Sequence, residues 1–234
     1  MPYEYHPDLI TPPRRTVLWR YMDFAKFVEL LESRTLWFVR MDQLDDPLEG
    51  THTDAEIAGL RKSFDRKRAQ ELIDVFRIAR GEVYVNCWRS GSAESLAMWD
   101  LYGRGSGIVA VKSTAGRLRE AASKYEKPVY ISKTSYVDWS QAYGLDNVLV
   151  AGSRKDLSYQ HESEVRAIIM SDSFSSDSKR PPGVRLKTDP NRLITEVMVG
   201  PREPEWVVKL VERVMKRYGL RQRVTPSNRL KPRR

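Results

Sequence analysis

The sequence predicts an α+β fold in which a single domain mixes strands and helices in irregular order. The chain has 234 residues, of which 41% are hydrophobic, so it is long enough to bury a substantial core. Its apolar residues recur with a period of 2 in some segments and of about 3.6 in others, which are the periods of strands and helices. These segments show no internal repeat and lack the regular strand–helix–strand units of about 30 residues that mark a doubly wound sheet.

Composition divides the chain into three parts. Residues 1–15 contain several prolines without periodicity, which predicts an irregular arm, and residues 16–220 form the single α+β domain. Residues 221–234 hold five Arg, one Lys and no acid, so they account for six of the nine net positive charges. We expect this basic tail to be a solvated end, and the alternative is contact with nucleic acid or another polyanion.

Local patterns assign the elements of the domain. Asp23 is a predicted N-cap, and the aromatic Trp206 is placed on the inward face of the last helix. Strands are predicted over Thr16–Tyr21, Thr35–Arg40, Glu82–Trp88, Gly107–Lys112, Pro128–Trp139 and Leu193–Gly200. Helices are predicted after Asp23, within residues 54–80, and over Ala93–Tyr102, Ala115–Lys124 and Glu203–Tyr218, and residues 171–183 are a predicted loop.

Several classes of protein are disfavoured by the sequence. No apolar run approaches the ~18 residues of a membrane span, so we expect a soluble protein without a membrane partner. The N-terminal segment lacks a basic stretch followed by an apolar one, which is the pattern of a secretory signal. The one cysteine, Cys87, cannot form an internal disulfide, and we therefore expect a reducing, cytoplasmic location.

The segment Lys155–Met170, with the sequence KDLSYQHESEVRAIIM, sets two glutamates and an arginine at alternate positions directly ahead of an apolar run. If the segment is extended from about Glu162, then Glu162, Glu164 and Arg166 share one face of a strand. This layout is typical of a functional site carried by a sheet. The alternative is an edge strand that its charges protect from association.

The acidic loop of residues 42–50, DQLDDPLEG, follows a predicted strand, where functional groups are often displayed. Asp45, Asp46 and Glu49 could bind a cation, but turn formation by Asp-Asp-Pro explains the composition more simply. His52 has no partner histidine nearby for zinc. We therefore expect no metal here and keep the loop as an additional site.

Trp99 and Tyr102 precede the glycine-rich segment GRGSG at residues 103–107. Aromatics at this spacing are usually part of a core, yet an aromatic ring beside flexible glycines would also suit a planar ligand. The glycine spacing does not match the phosphate loops of nucleotide-binding folds, so a P-loop is excluded.

Seven separated motifs together resemble a bacterial family, family 2971 of the domains of unknown function. The motifs are LWRY (18–21), LWFVR (36–40), DDPLEG (45–50), CW (87–88), MWDLYGRGSGI (98–108), YQHESEVR (159–166) and EVMVGP (196–201). The chain departs from the family pattern at Asp45, Trp88 and Tyr159, where the family usually has Asn, a serine-bearing strand end and Trp. The family name itself implies no activity.

A polar residue and Tyr at the end of the first strand, an aromatic middle region and a late Glu-x-Glu also resemble the ADP-ribosyltransferase fold, a mixed or antiparallel split sheet flanked by helices. The resemblance implies that Glu164 is catalytic and that Glu162 prepares the acceptor. It also implies a set of residues that bind NAD, with Arg20 at the ribose or phosphates and a ring at the nicotinamide: Arg20, Tyr21, Trp99, Tyr102 and Arg166.

The implied function is an enzyme that uses NAD as a substrate without a metal. It would transfer ADP-ribose to a protein or nucleic-acid acceptor, or hydrolyse NAD, in a bacterial defence or toxin setting. Two alternatives stay open. The first is a nucleic-acid or phosphate-binding module that uses the basic tail and four arginines, Arg20, Arg40, Arg104 and Arg166. The second is a Mg²⁺-dependent nuclease that uses four acids, Asp46, Glu49, Glu162 and Glu164.

Overall fold

A computed structural model describes residues 3–102, 107–144, 147–171 and 180–230 of the chain. The strands are β1 (Val17–Met22), β2 (Thr35–Arg40), β3 (Val83–Ser90), β4 (Val109–Thr114), β5 (Val129–Lys133), β6 (Ser135–Val137), β7 (Arg154–Asp156), β8 (Glu164–Met170), β9 (Gly183–Lys187), β10 (Glu196–Val199) and β11 (Arg223–Pro226). The helices are α1 (Phe24–Ser33), α2 (Asp54–Ser63), α3 (Arg66–Arg80), α4 (Leu96–Tyr102), α5 (Ala115–Ala122), α6 (Val148–Ala151), α7 (Pro190–Leu193) and α8 (Glu205–Arg217).

The chain forms two compact units, and each takes segments from separate parts of the sequence. The first unit comprises Met1–Pro12, Trp37–Cys87 and Glu126–Arg185. In its sheet β8 lies between β3 and β5, and β2 pairs with the other edge of β3. β5 and β8 are antiparallel, whereas β6 and β7 form a separate parallel pair. Its core includes Val83, Val85 and Ile168.

The second unit comprises Pro13–Leu36, Trp88–Tyr125 and Leu186–Arg234. Its strands follow the order β11, β10, β4 and β1, with antiparallel pairing throughout except between β10 and β11, which are parallel. The Asp23 side chain accepts a hydrogen bond from the backbone N–H of Lys26 and begins α1, as the sequence predicts.

The prediction of an α+β fold with a mixed sheet flanked by helices is confirmed. The boundaries of a single domain at residues 16–220 stay a prediction. Two helices, α2 and α3, occupy the region predicted as helical between residues 54 and 80. The N-terminal arm is irregular as expected, although its Leu9 is buried. Of the loop predicted at residues 171–183, residues 172–179 lie outside the described residues, and Gly183 already belongs to β9.

Two expectations about the C-terminal region are wrong. The predicted tail of residues 221–234 contains β11, which pairs with β10 from Glu196↔Arg223 to Val199↔Pro226. Its backbone groups therefore find hydrogen-bond partners in the sheet, although it has few apolar side chains. Trp206 is 61% exposed, because α8 buries the stripe of Val207, Val211 and Met215 instead.

Among the helices of the described residues, none has both the length and the apolar character needed to cross a membrane.

Candidate functional site

Glu162 and Glu164 lie on either side of a sharp change in backbone direction. Leu157–Glu162 is a 3₁₀ segment, and Ser163 has a φ of 45° in the left-handed region, so β8 begins only at Glu164. The expectation that the chain is extended from about Glu162 is therefore wrong. Glu162 and Glu164 do not share a strand face, and any common partner must come from elsewhere in the unit.

Glu164 and Arg166 lie on the same face of β8, as expected from a period of 2. The Arg166 Nη2 atom is 2.8 Å from Glu164 Oε2, and both side chains are buried, with 1% and 6% of their surface exposed. Arg166 Nη1 donates to the backbone oxygen of Gly152 at 3.0 Å. Because an unpaired charge at this depth would be costly, the pair is held together by its own electrostatics.

The acidic loop supplies a second carboxylate to the same arginine. Glu49 is buried and forms an ion pair with Arg166 Nη2. Gly50 follows with a φ of 75°, and a Cβ at that position would collide with Met41 Sδ. Arg80 holds the loop by donating to the backbone oxygens of Pro47, at 2.8 Å, and Asp46, at 3.1 Å.

The other two acids of the loop do not reach this arginine in the described contacts. Asp46 Oδ1 accepts from the backbone N–H of Leu48 at 2.9 Å, which is the turn-forming role that the sequence favoured. Asp45 is exposed. Glu49 is thus the acid of this loop that pairs with Arg166, and the additional site at Asp45, Asp46 and Glu49 stays a prediction.

Lys155 completes the arrangement. Its Nζ is 2.6 Å from Glu162 Oε2 and 3.5 Å from Glu49 Oε1, and its side chain is 9% exposed. The ring of Tyr159 lies over this ammonium at 4.3 Å from its centroid. Glu49, Lys155, Glu162, Glu164 and Arg166 thus form one network, which we name the acid–base cluster.

The ionisation of the acid–base cluster is uneven. Burial raises the pKa of Glu49, and the cations Arg166 and Lys155 only partly oppose this effect. Burial also acts on Glu164, but there Arg166 and Lys155 prevail and lower its pKa. Burial disfavours the charge on Lys155, yet Glu164 and Glu49 raise its pKa. Glu164 is therefore held as a carboxylate, and three acids face two cations.

Glu164 also has neutral neighbours. The Thr134 hydroxyl donates to its Oε2 at 3.4 Å, and its own backbone N–H donates to the Tyr136 hydroxyl at 2.7 Å. The Cys87 thiol hydrogen-bonds the same carboxylate, and burial together with that negative charge raises the pKa of the thiol well above its ordinary value. Burial and the neighbouring carboxylate therefore favour the protonated form of the Cys87 thiol.

Four of the predicted NAD-binding residues belong to the second unit. Tyr21 and Trp99 are both buried, and their rings meet edge to face at 4.8 Å. The backbone N–H of Ser95 donates to the Tyr21 hydroxyl at 2.9 Å, and Trp99 Nε1 donates to Glu94 at 2.9 Å. These contacts make Tyr21 and Trp99 part of a packed core.

Tyr102 and Arg20 differ from that buried pair. Tyr102 is 44% exposed at the end of α4, so of the two aromatic rings predicted to stack on a ligand it is the accessible one. Arg20 is half-buried in β1, opposite Val111 of β4. Residues 103–106 of the glycine-rich segment, including Arg104, lie outside the described residues.

Several charged groups that the two alternative functions would use have partners within the protein. Arg166 is buried between carboxylates, and Arg40 is 2.6 Å from Asp42 and donates to the backbone oxygen of Arg180, so neither presents a free fork to a phosphate. Glu49, Glu162 and Glu164 do converge, but Lys155 and Arg166 are their partners. No group of three potential ligands for a metal ion occurs within the part of the chain that the structure describes.

Sequence patterns missed Lys155, Thr134, Tyr136 and Cys87 as members of this region. Lys155 is the first residue of the charged segment Lys155–Met170. Its position seven residues before Glu162 was the sequence feature that could have indicated an ion pair between them. Thr134 directly follows β5 and Tyr136 lies in β6, and no local sequence pattern connects either residue to β8.

Comparison with known proteins gives a likeness in structure only. The sequence matches no model of a known protein family and none of the curated proteins. Membership in family 2971 therefore stays a prediction.

DarT of Thermus sp. 2.9 in complex with carba-NAD+ is similar over 92% of this chain and 97% of that one, with 12% identity and a TM-score of 0.43. The same protein in complex with ADP-ribosylated single-stranded DNA is similar over 94% and 97%, with 12% identity and a TM-score of 0.44. A likeness at this level assigns no activity.

Proposed function

We propose that this chain is an ADP-ribosyltransferase-like enzyme that cleaves NAD, and that Glu164 is its catalytic carboxylate. The observation that carries the proposal is the acid–base cluster, in which Glu164 stays ionised while buried and acids outnumber cations. A low-dielectric site with fixed negative charge stabilises a cationic transition state more strongly than water does. The cluster therefore suits a reaction that develops positive charge.

Cleavage of NAD develops such a charge. The bond between ribose C1′ and the nicotinamide nitrogen breaks, its electron pair leaves with neutral nicotinamide, and the positive charge passes to the ribose. An acceptor hydroxyl, or water, then bonds to C1′ and gives up a proton. Glu164 stabilises the ribosyl cation, and Glu162, held by Lys155 at 2.6 Å, is assigned to the acceptor.

The roles of the other residues rest on different observations. Arg166 acts in this proposal as the partner that keeps Glu164 ionised, and Glu49 is a second partner of both cations. The part of Arg20, Tyr21, Trp99 and Tyr102 in NAD binding stays a prediction of the resemblance, as does a setting in bacterial defence. Tyr159, whose ring covers Lys155, offers an aromatic surface next to the carboxylates.

The proposal is tested by incubating the protein with NAD labelled on its adenylate half, with and without cell lysate. Label on protein or on nucleic acid would identify the acceptor, and free nicotinamide with unattached label would identify hydrolysis. Unaltered NAD in every mixture would overturn the proposal. Glu126→Gln, at an exposed site of the first unit, is the matched control for substitutions in the acid–base cluster.

A further inference from the structure

The junction of α2 and α3 in the first unit carries a dense positive charge. Residues 61–68, RKSFDRKR, contain five basic residues and one acid, and all eight are exposed. We name this segment the α2–α3 corner. A run of charge on a helix pair is ordinarily a solvated face, so further features are needed before a ligand is inferred.

The charge of the α2–α3 corner is not neutralised by its own acid. The Asp65 side chain caps α3 by accepting from the backbone N–H groups of Lys67 and Arg68, both at 2.9 Å. Arg68 Nη1 is 3.2 Å from Glu71. Four cations, Arg61, Lys62, Arg66 and Lys67, have no ion-pair partner among the residues that the structure describes.

Helix stability does not account for the position of these charges. The first turn of α3 contains no acid, and Arg66, Lys67 and Arg68 begin the helix. Cations at a helix N-terminus oppose the helix dipole and therefore do not stabilise the helix. The neighbouring α2 has the favourable order, with Asp54 and Glu56 in its first turn.

The α2–α3 corner also displays an aromatic ring and a cavity. Phe64 is 42% exposed and forms the extended C-cap of α2, with its backbone N–H donating to the Leu60 oxygen at 3.0 Å. A cavity of about 410 Å³ is lined by Arg61, Arg66, Ala69 and Gln70, which precede and follow Phe64 in the sequence. Guanidinium groups and an amide therefore line one cavity, and an accessible ring lies between Arg61 and Arg66 in the sequence.

We propose that the α2–α3 corner binds single-stranded nucleic acid. Arg61 and Arg66 in the cavity contact phosphates, and Phe64 stacks on an unpaired base. Bases of a duplex do not present their faces to a side chain, whereas positive grooves with aromatic rings are typical of single-strand binding. A membrane surface fits less well, because a helix that lies on lipid needs an apolar face and the corner exposes one large apolar residue.

The first test measures the anisotropy of fluorescent single strands of DNA and of RNA of about 20 nucleotides, which is longer than the roughly 4–16 nucleotides that one OB fold covers. For Arg66→Ala with Lys67→Ala we expect weaker binding and a shallower salt dependence. The slope of log K against log salt should fall by about 0.7 for each phosphate that the variant no longer neutralises.

The control is Arg213→Ala with Lys216→Ala, at exposed positions of α8. It removes the same number of positive charges from another helix and should leave the affinity nearly unchanged. Equal weakening in the two double variants, or no binding by the wild type, would overturn the proposal.

The second test concerns the ring. Phe64→Ala should lower affinity on the order of 10-fold, as expected when one base is no longer stacked, while Phe64→Tyr should retain it. Thermal melts of each variant confirm that the exposed substitutions leave folding intact. If Phe64→Ala binds as well as Phe64→Tyr, or if duplex binds as tightly as single strands, stacking is excluded.

Two controls separate this inference from its alternatives. In the first control, vesicles of phosphatidylserine and phosphatidylcholine compete with the oligonucleotide. If they displace it and their binding requires the same residues, the ligand of the corner is a membrane surface and the nucleic-acid proposal is overturned. NAD cleavage without an acceptor should be the same in the Arg66→Ala, Lys67→Ala variant as in the wild type, because these residues lie outside the acid–base cluster. If NAD is not cleaved but the oligonucleotide is bound through the corner, the proposed enzyme function fails and this inference stands.

Discussion

The acid–base cluster and the α2–α3 corner both concentrate charge within the first unit, but one satisfies its charges internally and the other does not. In the cluster, Arg166 is 1% exposed and its Nη2 atom lies between two carboxylates. In the corner, Arg66 is exposed and has no ion-pair partner among the described residues. Removal of a buried partner leaves an uncompensated charge, whereas removal of an exposed cation changes little except binding to an anion.

The largest expected difference is in stability. Arg166→Met leaves Glu49 and Glu164 buried without their shared partner, so we expect a loss of about 3–5 kcal/mol in the free energy of unfolding. Arg66→Met, the same substitution in the α2–α3 corner, should stay within about 0.5 kcal/mol of the wild type. Urea denaturation of both variants measures the contrast. Similar losses in the two proteins would show that the cluster is not held by its ion pairs.

Glu164→Gln separates charge from shape within the cluster. The amide retains the size of the side chain but not its negative charge, so NAD cleavage should fall by a factor of about 10² to 10³ while NAD binding is largely retained. Single-turnover rates and equilibrium titration with NAD distinguish the two effects. A variant that cleaves NAD at the wild-type rate would remove Glu164 from the catalytic role, whatever its effect on stability.

Truncation after Leu220 tests whether β11 belongs to the second unit. The deletion removes the pairing of β10 with β11 and the hydrogen bond from Ser227 N–H to the Val199 oxygen at 2.8 Å. We expect a loss of about 2 kcal/mol and a Tm lower by roughly 4–8 °C for a chain of this size. Truncation after Arg229 retains the strand and serves as the control. An unchanged Tm for the longer deletion would instead support a solvated tail.

Acidification should produce the smallest effect. The folded-state pKa of Glu164 lies below its ordinary value, so the stability that it contributes is complete above the unfolded pKa of about 4.3 and is lost as the pH falls through the folded pKa. Glu164→Gln lacks this contribution. Its free energy of unfolding should therefore decline less steeply below about pH 5 than that of the wild type, and Glu126→Gln should behave as the wild type.

Much of the secondary structure could be predicted from the sequence, because helix caps and strand patterns involve residues that are close together in the chain. Asp23 caps α1 as predicted, and the predicted and observed bounds of β2, Thr35–Arg40, agree. The strand at Glu162 failed because Ser163 adopts a left-handed conformation that no pattern indicated. β11 was missed because a short basic segment becomes a strand only through pairing with a distant one.

Only those contacts of the candidate site that are made within one strand could be predicted from the sequence. A period of 2 places Glu164 and Arg166 together, since both belong to one strand. The contact of Glu49 with Arg166 spans 117 positions of sequence and is fixed by tertiary structure. The same holds for the packing of the Trp99 ring against the Tyr21 ring, which joins two separate parts of the sequence.

The interleaving of the two units along the chain has a consequence for biosynthesis. The first unit needs segments that end at Arg185, and β11, which pairs in the second, ends at Pro226. A nascent chain that still lacks β8, β10 and β11 has therefore completed the strand pairing of neither unit, and several strand edges find their partners only after these later segments have been made. Interleaving of this kind delays the completion of both units until their late segments have been synthesised.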